Sequence, residues 1–313
     1  MLALFERARR AARGNAPLLI IGETGAGKEL VARYAHEHSP RGERMLRAIN
    51  CAAIPSALVE STLFGHEKGA FTGASCRVKG VFEEAHGSTV FLDEIGELAL
   101  PAQAALLRVL ETKRITRVGS TAEIALDVRV IAATHRDLDA MVAEGTFRAD
   151  LRHRLDVIAL HVPPLRDRPG DLEPLVRHFL AQCSRDWAQD AQELATDAWR
   201  ALRSYAWPGN VRELRNAIEH AAMACEGPLV TLADLPDRLR AHAPTEGLSE
   251  EPPAMVSGAD DVFAARVRAY EIELIQEALA ATRGNRTHAA ARLGMPLRTL
   301  VHKIRAYGLR KEE

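Results

Sequence analysis

Residues 16–36 read APLLIIGETGAGKELVARYAH. A short apolar run, Leu18 to Ile21, gives way to a glycine turn and then to a helical pattern. The turn, Gly22-Glu23-Thr24-Gly25-Ala26-Gly27-Lys28, fits the phosphate-binding loop pattern, with Glu29 where Ser or Thr is usual. Its glycines let backbone N–H groups curl around an anion, and the following helix N-terminus adds positive potential. Lys28 is placed to reach the outer phosphates. A chance glycine turn would not need a strand before it and a helix after it.

Working outward, GSTVFLDEIGEL (87–98) and VRVIAATHRDL (128–138) are two further short apolar strands ending in polar residues. Helical segments such as PAQAALLRVLETK (101–113) separate them. Strands alternating with helices imply a parallel sheet covered on both faces, with ligands at the C-terminal strand ends. One such end carries Asp93 and Glu94. Asp93 can hold Mg²⁺ while Glu94 polarises a water. Without a hydroxyl at position 29, the ion depends more on Asp93 and on waters. Phosphoryl transfer also needs positive charge on the γ-phosphate, often an arginine from a neighbouring subunit. GTFRADLRHRLDV (145–157) offers Arg148, Arg152 and Arg154, among which spacing alone does not choose.

The rest of the chain sets the organisation. At 313 residues, two or three domains are expected. Residues 1–165 read as the α/β unit, and 166–241 as a small helical lid broken by AWPGN and EGPLV. Residues 242–260 are Pro/Gly/Ser-rich and read as a flexible linker, with a helical module over 261–313. A net charge of −1 requires any nucleic-acid surface to be local. Four cysteines without C-x-x-C spacing suit a reducing cytoplasm, and no stretch reads as a signal peptide or membrane span. The N-terminal residues instead read as an amphipathic helix.

Two stretches invite a binding role. TRGNRTHAAARLGMPLRTLVHKIRAYGLRK (282–311) reads as two helices joined at GMP. Ala289, Ala290, Leu293, Leu297, Leu300, Val301 and Ile304 can pack the pair. Arg298, Thr299, His302 and Lys303 are left outward, with Arg305, Arg310 and Lys311 nearby. That suits a helix-turn-helix, although a helical hairpin with a solvated basic face has the same spacing. HEKGAFTGASCRVKG (66–80) is a soft loop without periodicity whose one bulky side chain, Phe71, has nothing local to pack against.

Taken in order, GETGAGKE, LFGHEKGAFTGA, GSTVFLDEIGEL, VRVIAATHRDL, FRADLRHRLDV and WPGNVRELRN resemble the bacterial enhancer-binding proteins, AAA+ activators of sigma-54 RNA polymerase. The resemblance implies an AAA+ P-loop fold with a helical lid and a C-terminal Fis-type helix-turn-helix. It further implies ATP with Mg²⁺, a hexameric ring, the sigma-54 holoenzyme and upstream DNA as partners, and a cytoplasmic location. By motif position, Gly69, Ala70, Phe71, Thr72, Gly73 and Ala74 would contact sigma-54, with Phe71 and Thr72 at the tip. Asn50 would hold Glu94 in an inactive pose, and Thr134 and His135 would sense the γ-phosphate. Arg212 would touch phosphate from the lid. Arg148 and Arg154 match the trans-acting arginines, leaving Arg152 as surface charge, and ITRVGST (115–121) matches a second loop near the pore.

The match departs from the family in three places. Pro296 stands where the family often has a Ser or Thr cap, so Pro geometry would start that helix. The family's short upstream segment that helps hold adenine is missing, because the sequence begins within the following helix. The sequence shows no receiver or ligand-sensing motif ahead of the ATPase, so either a truncated product or regulation from elsewhere is expected. Two competing readings remain: a DNA-binding regulator with a degenerate ATPase, and a AAA+ remodeller of another DNA transaction. Intact Lys28, Asp93 and Glu94 oppose the first, and the GAFTGA loop opposes the second.

Overall fold

A computed structural model describes residues 1–187, 193–225 and 227–241, and beyond these 272, 275, 276, 278, 279, 282, 286–292 and 300. The chain divides into two compact units, Met1–Thr245 and Glu246–Glu313. In the first, helix α1 (Leu2–Ala12) leads through strand β1 (Leu18–Ile21) and the glycine turn into helix α2 (Lys28–Glu37). Strand β2 (Arg47–Asn50) and helix α3 (Val59–Phe64) follow. The antiparallel pair β3 (Gly65–His66) and β4 (Val78–Lys79) then closes the soft loop at its base. Helix α4 (Val81–Glu84), strand β5 (Thr89–Asp93) and helix α5 (Leu100–Thr112) come next. A second hairpin of β6 (Arg114–Thr116) and β7 (Glu123–Ala125) precedes strand β8 (Arg129–Thr134). Helices α6 (Leu138–Ala143) and α7 (Ala149–Leu155) and strand β9 (Ile158–His161) complete the α/β part.

The five long strands form one parallel sheet in the order β2-β5-β8-β1-β9. Their side chains alternate between two cores. Leu18, Ile20, Phe91, Ile131 and Ala133 pack with residues of α1 and α2. Leu19, Val90, Leu92, Val130 and Ala132 pack with residues of α3, α5 and α7. A sheet covered on both faces favours apolar side chains on both sides of its inner strands, which is why β1 and residues 90–92 of β5 read as apolar runs. The register pairs Ile21 with Thr134 and Asn50 with Asp93. The C-terminal ends of β1, β2, β5 and β8 therefore share one edge, where open α/β sheets bind ligands.

The helical part comprises α8 (Leu172–Trp187), α9 (Thr196–Ser204), α10 (Asn210–Ala224) and α11 (Asp237–Arg240). Among the described residues it also contains a two-stranded parallel ladder, β10 (Glu193–Leu194) with β11 (Leu229–Val230), which helical periodicity does not indicate. Its own core gathers Val176, Leu202, Trp207, Leu214 and Ile218, and Leu165 already packs with it. Trp207 is buried with left-handed φ, and its indole Nε1 donates to Leu202 O at 2.9 Å. In the second unit, Ala289 and Ala290 of the helical segment Arg286–Arg292 are buried with Ile275, Ala278 and Leu300. Arg298, Thr299, His302, Lys303 and Arg305 lie outside the described residues.

Helix α1 is amphipathic as its sequence implies, burying Leu4, Ala8, Ala11 and Ala12 while Arg7, Arg9 and Arg10 face out. Its C-terminus is held by an unexpected group. Arg129, the first residue of β8, is almost fully buried and donates to Ala11 O at 2.9 Å and to Ala12 O at 3.2 Å. A cation there satisfies carbonyls that a helix end leaves without partners and meets the negative end of the helix dipole. Burial pulls the Arg129 guanidinium below its ordinary value. Arg129→Ala should therefore cost about 2–4 kcal/mol through unpaired carbonyls and a cavity, measured as a lowered denaturation midpoint.

Candidate nucleotide site and surface loop

Gly25 and Gly27 have φ of 76° and 104°, a region that glycine enters without penalty. Thr24, Gly25, Gly27, Lys28 and Glu29 line a cleft of about 310 Å³ together with Asp93 and Glu94. Val211, Arg212 and Arg215 of α10 and Phe179 of α8 form its other wall. Lys28 is buried; its Nζ donates to Gly22 O at 2.9 Å and pairs with Glu94 Oε1 at 3.3 Å. The Gly22 N–H donates to Thr134 O at 3.2 Å, fastening the loop to the end of β8. Ala26 is buried, and the Glu23 carboxylate turns to Arg166 and Asn210. Glu29 pairs with Arg33 at 2.7 Å, one turn along the helix.

The two carboxylates differ in their surroundings. Burial and the neighbouring Glu94 charge raise the Asp93 carboxyl, while Lys28 opposes the shift. Burial would also raise Glu94, but the His135 hydrogen bond and the Lys28 ammonium together hold it below its ordinary value. Both Glu94 oxygens are engaged, Oε1 by Lys28 and Oε2 by His135 Nδ1 at 2.6 Å. Glu94 adopts left-handed φ and ψ of 53° and 52°, a strained conformation for a non-glycine residue that is common at functional sites. Beside the pair, Cys51 is buried, and burial followed by the two acidic charges pushes its thiol up to about 12. Cys51 is therefore a packing residue, not a nucleophile.

Two of the expected site residues have local partners here. Asn50 does not hold Glu94; its Oδ1 accepts from Ala52 N at 2.9 Å and caps the turn Cys51–Ala53. His135 and Lys28 occupy Glu94 instead. Thr134 is fully buried, and its hydroxyl accepts from Arg136 N at 3.0 Å. Arg212 does line the cleft. Arg215, three residues on and therefore on the same helix face, lines it too. That three-residue spacing of Arg212 and Arg215 is legible in NVRELR (210–215).

Arg148 and Arg154 are exposed, and neither lines this cleft. Arg148 starts α7 and pairs with Asp150 at 2.7 Å, while its backbone N–H donates to the buried Gln103 at 2.9 Å. Arg152 pairs with Asp139 at 2.7 Å and with Asp156 at 3.6 Å.

The 66–80 loop is more ordered than its sequence suggests. Gly69 and Gly73 have φ of 83° and 102°, and a Cβ on either would meet nothing within 4 Å. They are needed for backbone shape rather than for space. The Gly69 N–H donates to Ala74 O at 2.8 Å, closing the tip. Thr72 is exposed and Phe71 is 38% exposed. Phe71 does have a local partner: the His66 ring meets it edge-on at 4.9 Å between centroids. Below, buried Arg117 of the 115–121 loop pairs at 2.7 Å with both Glu67 and Glu83, joining the two loops to α4.

Comparisons with known proteins fit this geometry. The Sigma-54 interaction domain matches residues 1–161. The chain belongs to the sigma-54-dependent enhancer-binding activator family. The AAA+ ATPase lid domain matches residues 166–252, and the Fis family of bacterial regulatory proteins matches 266–307. The nitrogen fixation protein VnfA of Azotobacter vinelandii is 46% identical over 309 residues, covering 99% of this chain. The response regulator protein PilR of Pseudomonas aeruginosa is 45% identical over the same share. The chain spans 58% of VnfA and 68% of PilR. NtrX from Brucella abortus, solved in complex with ATP, has a TM-score of 0.72 at 33% identity, over 99% of this chain and 68% of that one. The resemblance carried by the six motifs is borne out, and the α/β and helical parts are an AAA+ core with its lid.

The Glu94 pairings have a pH consequence. A carboxyl held low contributes stability above its unfolded pKa, and that contribution is lost as pH falls through the folded value. His135→Ala removes the hydrogen bond that lowers it most. In a pH series of thermal denaturation, the stability that Glu94 contributes should then shrink, and its loss on acidification should begin at higher pH than in the unchanged protein.

Proposed function

We propose that the protein is an ATP-hydrolysing activator that remodels sigma-54 RNA polymerase from the closed to the open promoter complex while bound to upstream DNA. One observation carries this reading. A single α/β body presents both the cleft of Lys28, Asp93 and Glu94 and an exposed, glycine-hinged loop with Phe71 and Thr72 at its tip. NtrX solved with ATP and with ADP supports a nucleotide in the cleft.

In this reading, Lys28 grips the outer phosphates and Arg212 approaches them from the lid. Glu94 accepts the proton of the attacking water after one of its oxygens leaves Lys28 or His135. Asp93 suits Mg²⁺, which is commonly held by one or two carboxylates plus phosphates, and its half-buried, raised carboxyl would be eased by a cation. When bound, the ion would neutralise phosphate charge. Arg148 and Arg154 lie away from their own cleft, which supports action on a neighbouring copy's nucleotide in a hexameric ring. Residues 69–74 contact sigma-54. Arg298, Thr299, His302, Lys303 and Arg305 of the Fis-type module read DNA. The protein acts in the cytoplasm.

Lys28→Ala should weaken nucleotide binding, whereas Glu94→Gln should retain binding and lose roughly 10²–10⁴-fold in turnover. Equilibrium binding of a fluorescent nucleotide and steady-state ATPase assays separate the two. The wider reading is tested by open-complex formation with purified sigma-54 holoenzyme, with and without ATP. Phe71→Ala and Thr72→Ala should keep nucleotide binding and fail to capture sigma-54 or open the promoter. Wild-type promoter opening by both variants would remove the loop, and with it the partner, from the proposal.

A further inference from the structure

The phosphate-binding loop is fastened to the lid side by contacts that phosphate chemistry does not require. Glu23 Oε1 accepts from Arg166 Nη2 at 2.6 Å, and Oε2 accepts from Arg166 Nη1 at 2.9 Å and Asn210 Nδ2 at 3.0 Å. Asn210 is fully buried at a left-handed φ of 52°. Its Nδ2 also donates to Thr24 O at 3.1 Å, and its Oδ1 accepts from Leu165 N at 2.7 Å. The Val211 N–H donates to Gly25 O at 3.0 Å, and Arg168 Nη2 donates to Ala26 O at 2.6 Å. Four consecutive loop residues, Glu23 to Ala26, are thus each bonded to residues of 165–168 or the start of α10.

An exposed Glu–Arg pair by itself contributes little to stability. This one differs because a buried amide shares the carboxylate, and because the residue after Val211 is Arg212, which lines the cleft. A free carboxylate beside bound phosphates would also repel them; the Arg166 fork draws it aside and balances its charge.

We infer that Glu23 is a positioning residue, which through Arg166 and Asn210 holds the first turn of α10 on the phosphate-binding loop and so sets the reach of Arg212. The nucleotide part of this inference rests on the function proposed above; the fastening itself does not. Hydrogen bonds from Arg166 and Asn210 hold the Glu23 carboxyl at about 2, so the pair keeps its charge throughout the neutral range.

The test uses the full chain with Glu23→Gln, Arg166→Gln and the double variant. Two quantities are read: hydrogen exchange at the Val211 amide without nucleotide, and the ratio of ATP to ADP affinity. Each single variant should speed Val211 exchange and reduce the ATP preference by about tenfold, with the double variant no worse than the worse single. Thermal midpoints should stay within about 2 °C, because the pair is partly exposed. Unchanged Val211 exchange in both single variants, or effects that simply add, would overturn the inference. If the wild type binds neither nucleotide, the proposed function and the reach of Arg212 fall together, and the exchange data still decide whether the fastening exists.

Discussion

A Cβ on Gly25 would come within 2.4 Å of the Gly209 carbonyl oxygen and 3.1 Å of Arg212 Cβ. That approach governs the geometry of the site. Because the loop carries no side chain there, the start of α10 can lie directly on it, and Val211 can donate to Gly25 O. The left-handed φ of Gly25 and the lack of space around it both demand glycine, so one residue serves loop shape and lid docking together. The parallel sheet then brings Asp93, the end of β5, and Glu94 after it into the same cleft.

Within the cleft, opposite charges are closely balanced. Glu94 is held by a lysine on one oxygen and a histidine on the other, on a backbone that strains to place it there. Asp93, one residue earlier, forms no ion pair among the described residues, and burial pushes its carboxyl the other way. Adjacent carboxylates in different environments can take different roles, one toward a cation and one toward a water.

Much of this was legible in the sequence because it is local. The glycines and lysine of 22–28, the apolar strands and the terminal Asp93-Glu94 pair are set by spacing along one segment. The side-chain partners were not legible, because they depend on which distant atom arrives. Asn50 was expected at Glu94, yet its oxygen finds a backbone N–H two residues away. Thr134 sits at the correct strand end, and its hydroxyl accepts from Arg136 N. Glu23 lies within the motif, but its carboxylate is drawn out of it by an arginine 143 positions on. The short ladders β3–β4, β6–β7 and β10–β11 span too few residues to show a period of two.

The two surface loops also constrain each other's composition. Gly119 has a φ of 80°, and a Cβ there would stand 2.7 Å from the Ala70 Cβ. A methyl at 119 and the methyl at 70 therefore cannot coexist without one loop shifting. A library that diversifies the 115–121 segment must keep glycine at 119 as long as position 70 carries a Cβ, so the two loops are not independent modules.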